Sequence, residues 1–203
     1  MPEKSDDKTR LYFIALIPPS PIYDEALGQK LYFKENYNSK ASLNSPPHIT
    51  LHMPFRWKEK KENELGARLE QFMKRFDPIK VCLDNYSSFP PRVIFINVVK
   101  TDALEDLQRG IQRFCKKELN LFNANYKEQP FHPHLTLAFR DLKKPNYKKA
   151  WDEFENREYK AEFIADRIAL LKHNGKVWQV FREFNLESSY SIDNKSTLAA
   201  TEG

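Results

Sequence analysis

Cysteine is nearly absent from this chain of 203 residues. Cys82 and Cys115 are too few and too far apart for a disulfide framework or a thiolate zinc site, so a reduced, cytoplasmic setting is expected. No apolar run approaches the length that crosses a bilayer, and no membrane partner is expected. The first ten residues, "MPEKSDDKTR", lack the apolar centre of a secretory signal and read as a flexible N-terminus. Residues 187–203 are equally poor in apolar side chains and read as a disordered tail. Strong charge of one sign is also missing. The balance of 33 basic and 28 acidic residues gives +5, which favours an anionic partner without demanding one.

What is present is punctuated secondary structure over residues 11–186. "LYFIALIPP" (11–19) reads as a buried strand closed by prolines. A helix is expected from Ser20 to Tyr37, with Ser20 as its cap and Pro21 in its first position. Apolar residues at helical spacing mark further helices over 60–76 and 102–119, and another is expected at about 146–156. "IKVCLDNYSSF" and "RVIFINVVK" read as strands around a turn at Pro90 and Pro91. "AEFIADRIALLK" reads as one strand, paired through a turn at Asn174-Gly175 with "KVWQVFREFNL".

Two short stretches stand out. Pro47-His48-Ile49-Thr50-Leu51 and Pro133-His134-Leu135-Thr136-Leu137 share one pattern, and each follows a strand ("FIAL", "FINV") and a helix. Five histidines and six threonines placed at random would give roughly 0.15 His-x-Thr triplets in such a chain. Two copies at equivalent places in a repeated unit point to an internal duplication. The expected fold is therefore α+β and bilobal. Two antiparallel-rich sheets, flanked by helices, would face each other across a central cleft with pseudo-twofold symmetry.

Side chains two apart on a strand share a face, so His48 projects with Thr50 and His134 with Thr136, while Ile49, Leu51, Leu135 and Leu137 face the core. Two imidazoles can act as general acid and base, and two hydroxyls can hold non-bridging phosphate oxygens. Such a scheme needs no metal or other cofactor, and no acidic cluster of the magnesium-binding kind lies near either motif.

Other readings compete with this one. Threonine favours strands in any case, and His52 and His132 share the faces of the motif histidines, which makes a metal site conceivable. Threonine is a poor zinc ligand and no carboxylate completes such a set. His52 and His132 are therefore expected to line the cleft or to orient a neighbouring ring. The basic runs 55–61 and 140–149 follow the motif strands, as solvated faces or as a rim that draws in a polyanion. Phe55, Trp57, Phe131 and Phe139 are candidates to stack a base, with core packing as the alternative.

In its paired His-x-Thr motifs on strands of a duplicated chain, the protein resembles the 2H phosphoesterase superfamily, specifically its bacterial 2′-5′ RNA ligase or RNA 2′,3′-cyclic phosphodiesterase branch. The resemblance covers roughly residues 11–186 and includes "SSFPPRVIFINV". It implies a bilobal fold of intertwined lobes and metal-independent opening of 2′,3′-cyclic phosphates to 2′-phosphates, with reversible 2′-5′ ligation in some members. It also implies His48 as proton donor, His134 as proton acceptor, and Thr50 and Thr136 as phosphate holders. RNA ends or cyclic nucleotides are the implied substrates, and a monomer is expected. Relatives often carry "HLTLAR" in the second motif. Here Phe139 follows Ala138 and the arginine stands one place later, so Arg140 either joins the His134 face as a substrate contact or lies past the strand end. Three classes of function follow: a cyclic phosphodiesterase, an RNA-binding module that kept the cleft without catalysis, and a metal-dependent hydrolase.

Overall fold

The computed structural model describes residues 8–125 and 129–187. Most of the N-terminal ten and of the tail from 187 onward thus lie outside the described residues. In chain order the elements are β1 (Thr9–Leu16), α1 (Ile22–Tyr37), β2 (Ile49–Lys58), α2 (Glu62–Met73), β3 (Ile79–Phe89), β4 (Val93–Val98), α3 (Asp102–Glu118), β5 (His134–Ala138), α4 (Lys144–Phe154), β6 (Lys160–Ala165), β7 (Arg167–His173) and β8 (Trp178–Asn185). No helix among the described residues is long and apolar enough to cross a membrane.

The strand order is β6-β3-β4-β5-β2-β1-β7-β8, with every neighbouring pair antiparallel. The fold is α+β as expected, and its two expected sheets are the four-stranded halves of one continuous sheet. They meet where Ile49 of β2 pairs with Leu135 of β5. The duplication is visible in this order: β2-β1-β7-β8 runs outward from the joint on one side, and β5-β4-β3-β6 on the other. The halves are interlaced. α1 packs across β5 and against α4, whereas α3 packs across β2.

One expectation is corrected here. "AEFIADRIALLK" is two strands, with β6 bonded to β3 at one end of the sheet and β7 bonded to β1 near the other. Only Asp166 separates them, and its carbonyl accepts from the Leu186 amide at 2.7 Å. A chain that changes sheet neighbours within one residue requires the sheet to curl until its two halves approach each other, so the eight strands form an open half-barrel. A second correction concerns α1. Pro21, not Ser20, occupies the N-cap position, and no side chain caps that end. α3 is capped as helices usually are, with Thr101 Oγ1 accepting from the Leu104 amide at 3.3 Å.

The main core lies between the sheet and the helices, around Ile14, Leu16, Ile49, Leu51, Leu135, Leu137 and the apolar stripes of the helices. A small second cluster of Phe13, Ala15, Ala169 and Leu171, with Ile17 and Trp178 against it, lies on the opposite face of β1 and β7. The sheet therefore buries one face fully under helices and floors the other with a thin apolar layer. The motif side chains stand on that second face.

Candidate active site

β2 and β5 bring the two motifs together at the joint of the halves. Burial follows strand parity: Ile49, Leu51, Leu135 and Leu137 are buried, and His48, Thr50, His134 and Thr136 are half-buried on the other face. An antiparallel register with Ile49 opposite Leu135 sets Thr50 across from His134 and His48 across from Thr136. The two imidazoles then occupy a diagonal, for which adjacent strands give a spacing of about 7–8 Å between backbone positions. Two rings reaching inward from such positions can straddle one tetrahedral phosphate.

Both rings are held in the same way. His48 Nδ1 is 2.7 Å from the carbonyl of Pro46, and His134 Nδ1 is 2.7 Å from the carbonyl of His132. A carbonyl only accepts, so Nδ1 carries the hydrogen in each ring and Nε2 is the nitrogen left to gain or lose a proton. Each ring also leans on a phenylalanine of the adjacent strand. Phe13 lies 4.8 Å from His48 at 47°, and Phe95 lies 4.8 Å from His134 at 51°. A further aromatic backs each of these: Trp178 at 4.7 Å from Phe13, and Phe89 at 4.6 Å from Phe95.

This apolar bedding governs the charge of the rings. Burial pulls the His48 imidazole down to about 3, and the Lys30 ammonium acts in the same direction. The bond to Pro46 opposes both, and His134 adds a smaller push. Burial likewise lowers His134, opposed by its bond to the His132 carbonyl, with the His132 ring nearby. Both rings are thus neutral at rest near neutral pH. A phosphate monoanion between them would restore affinity for a proton.

The remaining predicted residues divide. His132 is exposed, 5.1 Å from Phe89 and 6.2 Å from His134, at the rim beside the second motif. His52 does not line the cleft. It has 0% exposure, its Nδ1 meets the Met53 carbonyl at 2.8 Å, and its ring packs edge-on against Phe55 of the main core. The cause is a register shift on both sides of Ile14, which pairs with His52 and turns the strand by one residue. Arg140 lies past the end of β5 with a left-handed φ of 58°, exposed above the ring of its neighbour Phe139. With Lys34, Lys40, Asn44 and Asp141 it borders an open groove of about 620 Å³ beside α1. Among the described residues, no three His, Cys, Asp or Glu side chains cluster as a metal site would.

Of the candidate stacking aromatics, Phe55 is core, Phe131 packs against it, and Trp57 donates through Nε1 to the Lys61 carbonyl at 3.0 Å. The aromatics that do bed the motif rings, Phe13 and Phe95, open the repeated "FIAL" and "FINV" strands. Their shared position in the repeat was the available signal. Lys30 was also passed over, although it falls on the apolar stripe of α1 between Ala26 and Phe33.

Comparison with known proteins gives a consistent result. Residues 18–177 match the family described as the 2′-5′ RNA ligase superfamily. The chain is 30% identical over 177 residues to a Geobacillus kaustophilus protein named "Putative phosphoesterase GK0864", covering 85% of this chain and 94% of that one. A phosphoesterase-named protein of Halalkalibacterium halodurans is 27% identical over 179 residues, covering 86% and 96%. In structure, TT0787 of Thermus thermophilus superposes with a TM-score of 0.65 at 21% identity, over 89% of this chain and 99% of that one. E. coli LigT, solved with 3′-AMP, also gives 0.65, at 16% identity over 89% and 100%. Fold, motif placement and family match agree: this chain belongs to the 2′-5′ RNA ligase superfamily.

Proposed function

We propose that the protein opens 2′,3′-cyclic phosphates of RNA ends or nucleotides to 2′-phosphates by general acid and base catalysis from His48 and His134, without a metal. The observation that carries this reading is the matched pair of Nδ1 anchors, which leaves both Nε2 atoms available on the one face where β2 and β5 meet. A water oxygen forms a bond to phosphorus as the P–O3′ bond breaks. One neutral imidazole takes the water proton, and the other ring, charged in the complex, protonates O3′. Thr50 and Thr136 donate to the non-bridging oxygens, where charge grows in the transition state. Run in the same direction with a 5′ ribose hydroxyl in place of water, the same steps give 2′-5′ ligation, and run backward they cleave that linkage to the cyclic phosphate. The substrate is the one partner this scheme needs, and the protein acts as a cytoplasmic monomer.

The test is incubation with mononucleotide and oligonucleotide 2′,3′-cyclic phosphates in the presence of a chelator, with product isomers resolved by NMR. A 2′-phosphate product at an undiminished rate is expected. Salt-sensitive RNA binding with no product would replace the enzyme with a binding module of the same fold, and turnover restored only by added metal would replace it with a metallohydrolase.

A further inference from the structure

The face that carries the motif side chains is floored differently in its two halves. On the first half, Phe13 and Ala15 of β1 and Ala169 and Leu171 of β7 form an apolar layer with Ile17 and Trp178 against it, and no helix residue belongs to it. Val180, paired with Leu171, extends that layer and is 42% exposed. On the second half the same face is polar around Phe95. Ser87 of β3 pairs with Phe95, Asn97 stands two residues along β4 from it, and both are half-buried.

The turn between β7 and β8 builds the rim of the apolar layer. Asn174 Oδ1 accepts from the amides of Lys176 and Val177, both at 2.9 Å, and Gly175 takes a positive φ of 104°. This turn sets His173 across from Trp178, with their ring centres 5.0 Å apart. His173 Nδ1 accepts from the Gly175 amide at 3.2 Å, so the neutral ring carries its hydrogen on Nε2, the opposite of His48 and His134. Trp178 Nε1 makes no hydrogen bond among the described residues. Two N–H donors thus stand at the edge of an uncovered apolar bed.

The bed is continuous with the reaction centre. Trp178 meets Phe13 at 4.7 Å, and Phe13 meets the His48 ring at 4.8 Å. A ligand that fits has a flat apolar face, acceptor atoms along its edge and a short tether to a phosphate between the histidines. A nucleobase on its ribose meets all three conditions, and aromatic side chains stack bases of any identity. The rim of the other half also carries rings, Phe89 at 39% exposure and the exposed His132. Beside them, however, lie Ser87 and Asn97 in place of alanine and leucine, a floor that suits water better than a base.

We infer that Phe13, Trp178 and His173 form a nucleobase subsite: the base of the nucleoside that carries the phosphate lies on the apolar bed against the Trp178 ring, and the Nε1–H of Trp178 and the Nε2–H of His173 serve acceptors on its edge. The position of the phosphate rests on the proposed function. Every nucleobase carries edge acceptors, so the subsite distinguishes nucleotides from plain sugar phosphates rather than one base from another. A base seated there places its ribose and O3′ on the His48 side of phosphorus and leaves the His134 side open to water. That placement agrees with the donor and acceptor roles that the family resemblance implies.

The test is an NMR titration of the full chain with three ligands: adenosine 2′-phosphate, a methyl riboside 2-phosphate that has the sugar phosphate and no base, and inorganic phosphate. The His48 and His134 ring signals are expected to move with all three, and the Trp178 indole N–H and His173 ring signals with adenosine 2′-phosphate alone. Trp178 and His173 signals that stay in place, that move equally with the base-free ligand, or that are replaced by movement of Phe89 and His132 overturn the inference. Trp178→Leu, which keeps an apolar side chain without the ring, should cut the preference for adenosine 2′-phosphate over the methyl riboside about 10-fold in the ratio of Kd values, and Phe89→Leu should not. An unchanged ratio in Trp178→Leu, or a loss confined to Phe89→Leu, also overturns it. The wild-type titration decides the matter even if the variant does not fold. These signals are read without turnover, so the two claims fail separately: base-dependent shifts with no product from any cyclic phosphate would sink the proposed reaction, and product formed with Trp178 unmoved would sink the subsite.

Discussion

The two halves of the sheet present their histidines in nearly superposable settings and differ in what stands behind them. Ring anchor and aromatic bed agree: a carbonyl two residues earlier at 2.7 Å, and a phenylalanine at 4.8 Å. The surroundings do not. Behind His48 lie a buried lysine and Trp178, which also meets His173 at 5.0 Å; beside His134 lie exposed His132 and Phe89. Duplication preserved the geometry that aims Nε2, and divergence changed the charge and the rim. Chemistry that needs an acid and a base from one residue type gains from that asymmetry, because identical settings would leave the two protons uncommitted.

Substitutions at matched positions can break or sharpen this comparison. The largest effect is expected from His48→Ala and His134→Ala, each lowering kcat/KM by about 10³-fold. The double variant should lose little more than either single one, since the pair acts as a unit; multiplied losses in steady-state kinetics would mean independent sites. Thr50→Val and Thr136→Val should each cost about 10²-fold in kcat with KM less affected. A large loss at only one of them would show that one half alone holds the phosphate. A smaller effect concerns stability. Lys30 has a folded value near 7 against 10.5 for the free amine, so the unfolded chain binds more protons between those limits and wild-type stability should rise across that window. Urea midpoints at pH 7 and pH 10 should differ less in Lys30→Met; an equal rise would show that Lys30 is not buried uncharged. The smallest effect belongs to Arg140→Ala. Arg140 is past the strand end, six residues from His134, and turnover of a mononucleotide substrate should change by less than about 2-fold.

Much of this was legible in the sequence because strand parity is a strict rule. His48, Thr50, His134 and Thr136 were placed on one face by counting in twos, and that face is where they stand. Where the rule failed, the structure supplies the reason. His52 follows the same count and points into the core, since a register shift at Ile14 interrupts the alternation. The change of sheet neighbours at Asp166 left no turn residue in "AEFIADRIALLK", because the curl of the whole sheet, not a local turn, redirects the chain. Lys30 was hidden by composition. On a helix with other charged residues, one lysine on the apolar stripe reads as solvated until the carbonyls that receive it are known.

The most direct test of the central claim is a crystal structure with a nucleoside 2′-phosphate or orthovanadate bound. The account predicts that Nε2 of His48 and Nε2 of His134 both lie within hydrogen-bond reach, about 3 Å, of oxygens on the same phosphorus or vanadium atom, with the Thr50 and Thr136 hydroxyls on the remaining oxygens. An anion held by one ring alone, or one seated in the Arg140 groove with both rings empty, would contradict it.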